Sequence, residues 1–467
     1  MSVTTMSRLF ISASRKSSGK TSISIGLCAA LHARGHKVQP YKKGPDYIDP
    51  HWLAEAAGRN CYNLDFYTMQ HEEILAAYSR YSSDADISLI EGNMGLYDGL
   101  DLDGSNSNAA LARLLKAPVA LVLDARGMTR GIAPLILGYK AFDTNIDIKG
   151  VILNKLGGYR HEDKLRNIIE HYTDVKVLGA VHNSAELDIE ERHLGLVPSN
   201  EDNACLDKIS QLRTAVENQV DLDAVLDIAS QAKALPAIPV EVTPHVSAAD
   251  VRIGIIKNSA FGFYYPDDLD AIRDAGADLV TIDNLTATDL PELDGLFIGG
   301  GFPETHMEKL EINTAFREQL KQAIEAGLPV YAECGGLMYL ARSISWKDTK
   351  CDMVGAIPAD ITMEKRPQGR GYVQLEETDD SLWPDAENRI IAAHEFHYSR
   401  FINLDKNAKF AFRVLRGTGI DGQHDGYVHK NMQANYTHLR NTNSNQWAKR
   451  FVDFVRQCKH QANTKTP

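Results

Sequence analysis

The sequence predicts two α/β domains in tandem, and three observations carry that expectation. Short apolar runs alternate with amphipathic helical stretches through the first half, and the same alternation restarts at Arg252. Between them, Ala232–Asp250 is rich in Pro, Ala and Val (Pro236, Pro239, Pro244) without clear periodicity, as a linker or an extended excursion would be. Several first-half runs, such as Val119-Ala120-Leu121-Val122-Leu123, are apolar throughout, the pattern of strands covered on both faces in a doubly wound parallel sheet. In order, first-half strands are expected at Arg8–Ala13, Ile87–Ile90, Pro118–Asp124 and Gly150–Asn154, with helices such as Thr21–Arg34 and Asn108–Lys116 between them. Second-half strands are expected at Arg252–Lys257, Ala277–Ile282, Gly295–Ile298 and Pro329–Ala332. The expected domains are 1–235 and 251–460, joined by a linker at 236–250, and the polar tail after Cys458 is expected to fray.

At 467 residues and 43% hydrophobic content the chain can bury more than one core. Its formal charge of -12 gives no general attraction to nucleic acid, so an acidic ligand would need local cations and backbone N–H groups. No apolar run is long enough for a membrane span, and the polar start Met1–Arg8 does not read as a secretory leader; a cytoplasmic protein is expected. The six cysteines are scattered and form no CxxC pair, which speaks against a zinc site or disulfide framework. Cys28, Cys61, Cys205, Cys351 and Cys458 read as packing residues, and Cys334 stands apart through its context.

The segment Ser12–Thr21 follows an expected strand, opens an expected helix and ends in Gly19-Lys20-Thr21. That is the ending of a phosphate-binding loop: backbone N–H groups face the phosphates, Lys20 supplies a point charge, and the Thr21 hydroxyl can ligate Mg²⁺. Ser14 stands where the first glycine of the usual pattern would be. Two more segments suit such a site. Lys42-Lys43-Gly44-Pro45-Asp46-Tyr47-Ile48-Asp49-Pro50 concentrates cations and carboxylates, and Glu91 ends an apolar strand where it would face a nucleotide crevice. Asp46 and Glu91 can hold Mg²⁺, although a solvated turn and an ordinary strand end are the alternatives. Asn154 closes another strand and either meets a base edge or forms a turn.

Val330-Tyr331-Ala332-Glu333-Cys334-Gly335-Gly336 places a cysteine between a strand and a helix, as in a nucleophile elbow. A helix N-terminus favours the thiolate, and N–H groups near Gly335 can bind a developing oxyanion. Gly299-Gly300-Gly301, at another strand end, offers a second donor. A cysteine nucleophile needs a base; among sixteen histidines, His438 lies far downstream as a spatial partner would, with His394 and His397 as rivals.

These residues resemble the a,c-diamide synthases of tetrapyrrole biosynthesis, the cobyrinic acid a,c-diamide synthase family. The resemblance rests on Ser18–Thr21, Lys43–Pro50, Asn63-Leu64-Asp65, Glu91-Gly92, Met94–Gly99, Arg192–Pro198, Gly299–Glu304, Cys334-Gly335-Gly336 and His394–Ser399, in order through nearly the whole chain. It implies a P-loop domain like dethiobiotin synthetase, followed by a class I glutamine amidotransferase domain. It further implies ATP and Mg²⁺, glutamine as nitrogen donor, and a polycarboxylate tetrapyrrole derived from sirohydrochlorin as acceptor. The implied roles are phosphate and metal binding for Lys20 and Thr21, metal assistance for Asp46 and Glu91, and a place near the activated carboxylate for Lys42. Cys334 becomes the nucleophile, with Gly300, Gly301 and Gly335 at its oxyanion. His438 becomes its base through the pattern Tyr436-Thr437-His438.

The chain departs from the family in three ways. Many glutaminases of this class carry a glutamate two residues after the histidine; here Arg440 stands there, in keeping with a family similar to a Cys–His dyad, and the group that orients the imidazole is left open. Lys43 replaces a usual apolar residue, and Cys61–Met69 and Gly127–Pro134 are more similar to siroheme amidases linked to dissimilatory sulfite reductase. Ser14 and Lys16 replace small residues of the loop. Arg126, Arg130, Arg160 and Arg192 are candidate contacts for acceptor carboxylates. A siroheme-type acceptor, a regulatory P-loop NTPase with an inactive glutaminase domain, and a homodimer are left open.

Overall fold

A computed structural model describes residues 6–189, 191–192, 195–201, 204–236, 249–385 and 387–465. The chain divides into two compact units, Met1–Glu241 and Val242–Pro467. Most of the expected linker, 237–248, lies outside the described residues.

The first unit is built on a seven-stranded parallel sheet. Its strands are β1 (Arg8–Ala13), β2 (Val38–Lys43), β3 (Tyr62–Leu64), β4 (Ile87–Glu91), β5 (Val119–Asp124), β6 (Ile148–Leu156) and β7 (Lys176–His182). They lie in the order β3-β2-β4-β1-β5-β6-β7. Every residue of β1, β4 and β5 is buried, as apolar runs covered by helices on both faces should be. Parallel register then sets chemistry side by side at the carboxyl ends of the strands. Lys42 pairs with Glu91 across β2 and β4, and Asp124 with Asn154 across β5 and β6.

Helix α1 (Lys20–Ala33) follows β1 directly. Its Ala- and Leu-rich interior suits a helix, and Gly35 at φ +88° turns the chain away after it. Gly26 lets α1 approach the helix Cys205–Gln219 closely: a Cβ there would lie 2.4 Å from Val216 Cγ2 and 2.9 Å from the Leu212 carbonyl oxygen.

The second unit has a nine-stranded mixed sheet. Its strands are β8 (Val251–Ile256), β9 (Ala277–Ile282), β10 (Gly295–Ile298), β11 (Val330–Glu333), β12 (Gly369–Glu377), β13 (Ile390–His397), β14 (Lys409–Arg416), β15 (His424–His429) and β16 (Met432–Asn435). The order β9-β8-β10-β11-β16 is parallel, and β15, β14, β12 and β13 continue it antiparallel. Phe297, Tyr331 and Trp447 pack together beneath the parallel half, with Phe297 stacked on Tyr331 at 5.2 Å.

The second unit departs from the sequence reading in its antiparallel strands and in its tail. The antiparallel strands carry exposed polar residues among buried ones, so no continuous apolar run announces them. The expected frayed tail is instead a helix running from Trp447 to Lys465. Phe451, Val452 and Val455 are buried, and Lys459 Nζ donates to the Asp250 carbonyl at 2.7 Å.

Candidate active sites

In the first unit the loop after β1 reaches α1 through two left-handed residues, Ser17 (φ 62°) and Gly19 (φ 87°). The second must be glycine: a Cβ there would come within 2.0 Å of Asn154 Nδ2. Asn154 donates that amide to the Ser18 carbonyl at 2.9 Å, so it braces the loop from below.

Beside the loop lies a buried charge cluster. Lys42 Nζ sits 2.9 Å from Glu91 Oε1, 2.5 Å from Asp49 Oδ2 and 3.7 Å from Asp46 Oδ2. Thr21 Oγ1 lies 2.8 Å from the same Glu91 oxygen and 3.2 Å from Asp49 Oδ2. Burial opposes the Lys42 charge, but Asp49, Glu91 and Asp46 raise its pKa well above the ordinary lysine value. Burial and the negative charge of Asp49 push Asp46 up to about 7. Burial would raise Asp49 too, yet its pairing with Lys42 holds it below the ordinary value. Burial and the neighbouring Lys42 charge lower the pKa of Lys20.

The cluster tests well as a seat for a hard cation. Among the described residues Glu91 Oε2 is buried without a hydrogen-bond partner, and Thr21, Asp46 and Asp49 offer oxygens beside it, the ligand type Mg²⁺ selects. A cavity of about 430 Å³ opens over Gly19, Lys20, Thr21, Asp46 and Asp49 and extends to apolar Leu187 and Ile189. The structure thus brings together Gly19, Lys20, Thr21, Lys42, Asp46, Glu91 and Asn154, and adds Asp49, which the sequence reading did not single out. Its signal was present: it lies in the same acidic turn, and it opens helix α2 (Ile48–Ala57).

The candidate arginines scatter more widely. Arg126 and Arg15 both pair with buried Asp124, at 2.7 and 3.1 Å. Arg130 lies over the Tyr172 ring at 5.2 Å, Arg160 is exposed, and the side chain of Arg192 lies outside the described residues.

In the second unit β11 ends at Glu333, and Cys334 turns into helix α3 (Gly335–Leu340) with φ 46° and ψ -102°. A non-glycine residue with positive φ at a reactive atom is stored strain of the kind a nucleophile elbow uses. The glycines around it are required by contact. A Cβ on Gly335 would lie 2.9 Å from Gly301 N, one on Gly336 would lie 2.3 Å from the Ile298 carbonyl, and one on Gly300 would lie 2.6 Å from His438 Cε1. Gly300, Gly301 and Gly335 therefore converge near Cys334 and His438.

His438 is the histidine that meets the thiol. Burial would lower its pKa, but hydrogen bonds to Cys334 and Glu333 raise it to about 10. His394 stacks on it at 5.0 Å and joins it through an antiparallel backbone bridge; burial and the His438 charge drive His394 well below the ordinary imidazole range. His397 stacks on Tyr436 at 3.9 Å and uses Nδ1 on the Ser399 carbonyl. The sequence reading did not name Glu333, whose Oε2 lies 3.2 Å from His438 Nδ1. A glutamate next to a cysteine has no periodic signature that would mark it. Arg440 points elsewhere, toward Asp267 at 2.5 Å and over the Tyr265 ring at 4.1 Å.

Comparison with known proteins places the chain in a family. Residues 252–446 match the CobB/CobQ-like glutamine amidotransferase domain, and residues 7–191 match an AAA domain. The chain is 45% identical to the cobyrinate a,c-diamide synthase of Magnetococcus marinus, covering 96% of this chain and 97% of that one. The chain belongs to the cobyrinate a,c-diamide synthase family. Its cobyrinate a,c-diamide synthase relative in Methanosarcina acetivorans is 42% identical over 92% of both chains. The one in Archaeoglobus fulgidus is 41% identical over 95% of this chain and 96% of that one. As a member of the cobyrinate a,c-diamide synthase family the chain is a ligase that forms carbon–nitrogen bonds with glutamine as donor, and its first unit binds nucleotide. These names do not favour the siroheme expectation drawn from Cys61–Met69 and Gly127–Pro134. Among the described residues no helix is long and apolar enough to cross a membrane.

Proposed function

We propose that the chain amidates the a and c acetate carboxylates of cobyrinate, using ATP, Mg²⁺ and glutamine, with residues 1–235 as amidoligase and 251–460 as glutaminase. The observation that carries this reading is the presence in one chain of a phosphate loop beside a carboxylate cradle and of a thiol hydrogen-bonded to a buried imidazole. Free ammonia does not displace oxygen from a carboxylate, which is a poor electrophile with a poor leaving group. Transfer of the terminal phosphoryl group of ATP gives an acyl phosphate that ammonia can attack. Thr21, Asp46, Asp49 and Glu91 would hold Mg²⁺, which offsets charge on the transferring group. Lys20 and the Gly19 loop bind phosphates, Asn154 keeps that loop in shape, and Lys42, held among the three carboxylates, is the cation nearest the activated carboxylate.

In the second unit the Cys334 thiol gives its proton to His438, and the thiolate attacks the glutamine amide carbon. Backbone donors around Gly300, Gly301 and Gly335 receive the oxyanion. Imidazolium protonates the departing ammonia, and water then hydrolyses the thioester to glutamate. Ammonia must reach the acyl phosphate before water protonates it. Glutamine and the polycarboxylate macrocycle are the expected partners.

The test is incubation with ATP, Mg²⁺, glutamine and, in parallel, cobyrinic acid, siroheme or nickel-sirohydrochlorin, read by mass spectrometry. Cobyrinic acid should lose about one mass unit at each of two carboxylates, as OH is replaced by NH₂ in acyl transfer. Cys334→Ser should abolish the reaction with glutamine and retain it with added ammonia. Amidation of another macrocycle in place of cobyrinic acid, or none from either nitrogen source, would refute the proposal.

A further inference from the structure

The residue two places after His438, where related glutaminases carry their orienting carboxylate, is Arg440, and its guanidinium is engaged with Asp267 and the Tyr265 ring. The carboxylate against the imidazole comes instead from the other side of the nucleophile. Both partners are buried, and Glu333 Oε2 lies 3.2 Å from His438 Nδ1. The other oxygen is pinned twice: Glu333 Oε1 accepts from Leu439 N at 2.9 Å and from the Tyr331 hydroxyl at 2.6 Å. Tyr331 is itself held by Asn435 Nδ2 at 3.2 Å. With one oxygen fixed by two donors, the carboxylate cannot rotate away from the ring.

We propose that Glu333 is the positioning residue of the glutaminase reaction, holding His438 in the tautomer and orientation that serve Cys334. This rests on the assignment of Cys334 and His438 as nucleophile and base. With Nδ1–H donated to Glu333, Nε2 faces Cys334 and holds the proton that came from the thiol until ammonia takes it. The proton of the thiol is carried on Nε2, the C–S bond forms, the C–N bond then breaks as that proton passes to ammonia, and water restores the thiol on release of glutamate. The charges facing the pair are few. Burial disfavours the His438 imidazolium, whereas Cys334 and Glu333 favour it; the stacked His394 is itself driven neutral by burial, by the His438 charge and by Arg440, and Tyr331, Tyr264 and Asp268 face the carboxylate. Cys334 and Glu333 prevail, since the imidazolium persists to about pH 10. The sign follows: a pKa raised above the ordinary 6.5 means the pairing is fully present below that value and is lost as pH rises through about 10.

The experiment compares glutamate release by the full chain and by Glu333→Gln and Glu333→Asp from pH 6 to pH 11, with ammonia-driven amidation as the check on folding. In the wild type the alkaline limb should fall near pH 10. Glu333→Gln should lower kcat by roughly 10²- to 10⁴-fold, the range for losing the third member of a triad, with KM little changed and the limb moved to lower pH. Glu333→Asp keeps the charge, so its limb should stay closer to wild type while kcat falls less. A Glu333→Gln chain with unmoved limb and near-wild-type kcat overturns the proposal. If Glu333→Gln does not fold, a Glu333→Asp chain whose kcat and limb both equal those of the wild type, although its shorter carboxylate is drawn back from Nδ1, overturns it equally. Continued glutamine hydrolysis by Cys334→Ser would instead overturn the underlying assignment of the nucleophile.

Discussion

Lys42 is a buried cation held among three carboxylates, and its charge decides whether they can coexist. Removing one partner of a buried ion pair leaves the others uncompensated, which costs about 3–5 kcal/mol. Lys42→Met should therefore destabilise the first unit by about that amount in a denaturant titration, and added Mg²⁺ should recover part of the loss. Equal destabilisation with and without Mg²⁺ would show that the carboxylates do not share a cation. The same cluster marks where single residues were legible. Lys42, Asp46 and Glu91 could be singled out because their spacing and strand-end positions are visible in the chain. Glu333 was not, because its role depends on which strands lie side by side, and Asp49 was passed over although it stands in the same acidic turn.

Among the elements, the phosphate loop is shaped by its neighbours as much as by its own residues. Gly19→Ala places a methyl group 2.0 Å from Asn154 Nδ2 in a backbone conformation that disfavours a side chain, a penalty of roughly 1–2 kcal/mol for the backbone alone. It should abolish nucleotide binding in a calorimetric titration while glutamine hydrolysis by the second unit continues. Retained nucleotide affinity would show that the loop tolerates reshaping. Continuous apolar runs made β1, β4 and β5 readable in advance, and the helix after β1 followed from its composition. Strand β2 hid behind Pro40, Lys42 and Lys43, which are all buried, and the charge of Lys42 reflects the site rather than exposure. The antiparallel half of the second sheet was unreadable for a different reason, since half-exposed strands alternate and carry no run.

For the molecule as a whole, the two chemistries must share a reactive and easily protonated intermediate. Mixing Cys334→Ser with a Lys20→Ala chain supplies one intact site of each kind on separate chains. At neutral pH the mixture should amidate from glutamine far more slowly than wild type, and an ammonia-trapping enzyme should suppress it further while sparing the wild type. Equal sensitivity of both to the trap would mean that ammonia travels through bulk solvent. A last consequence follows from the ladder between β11 and β16, which sets Glu333 beside Asn435, three residues before His438. Thiol, carboxylate and imidazole hang from that single parallel pairing, and a slip of one residue would turn Glu333 to the opposite face of the sheet. A chain paired one residue out of register should therefore fail to split glutamine.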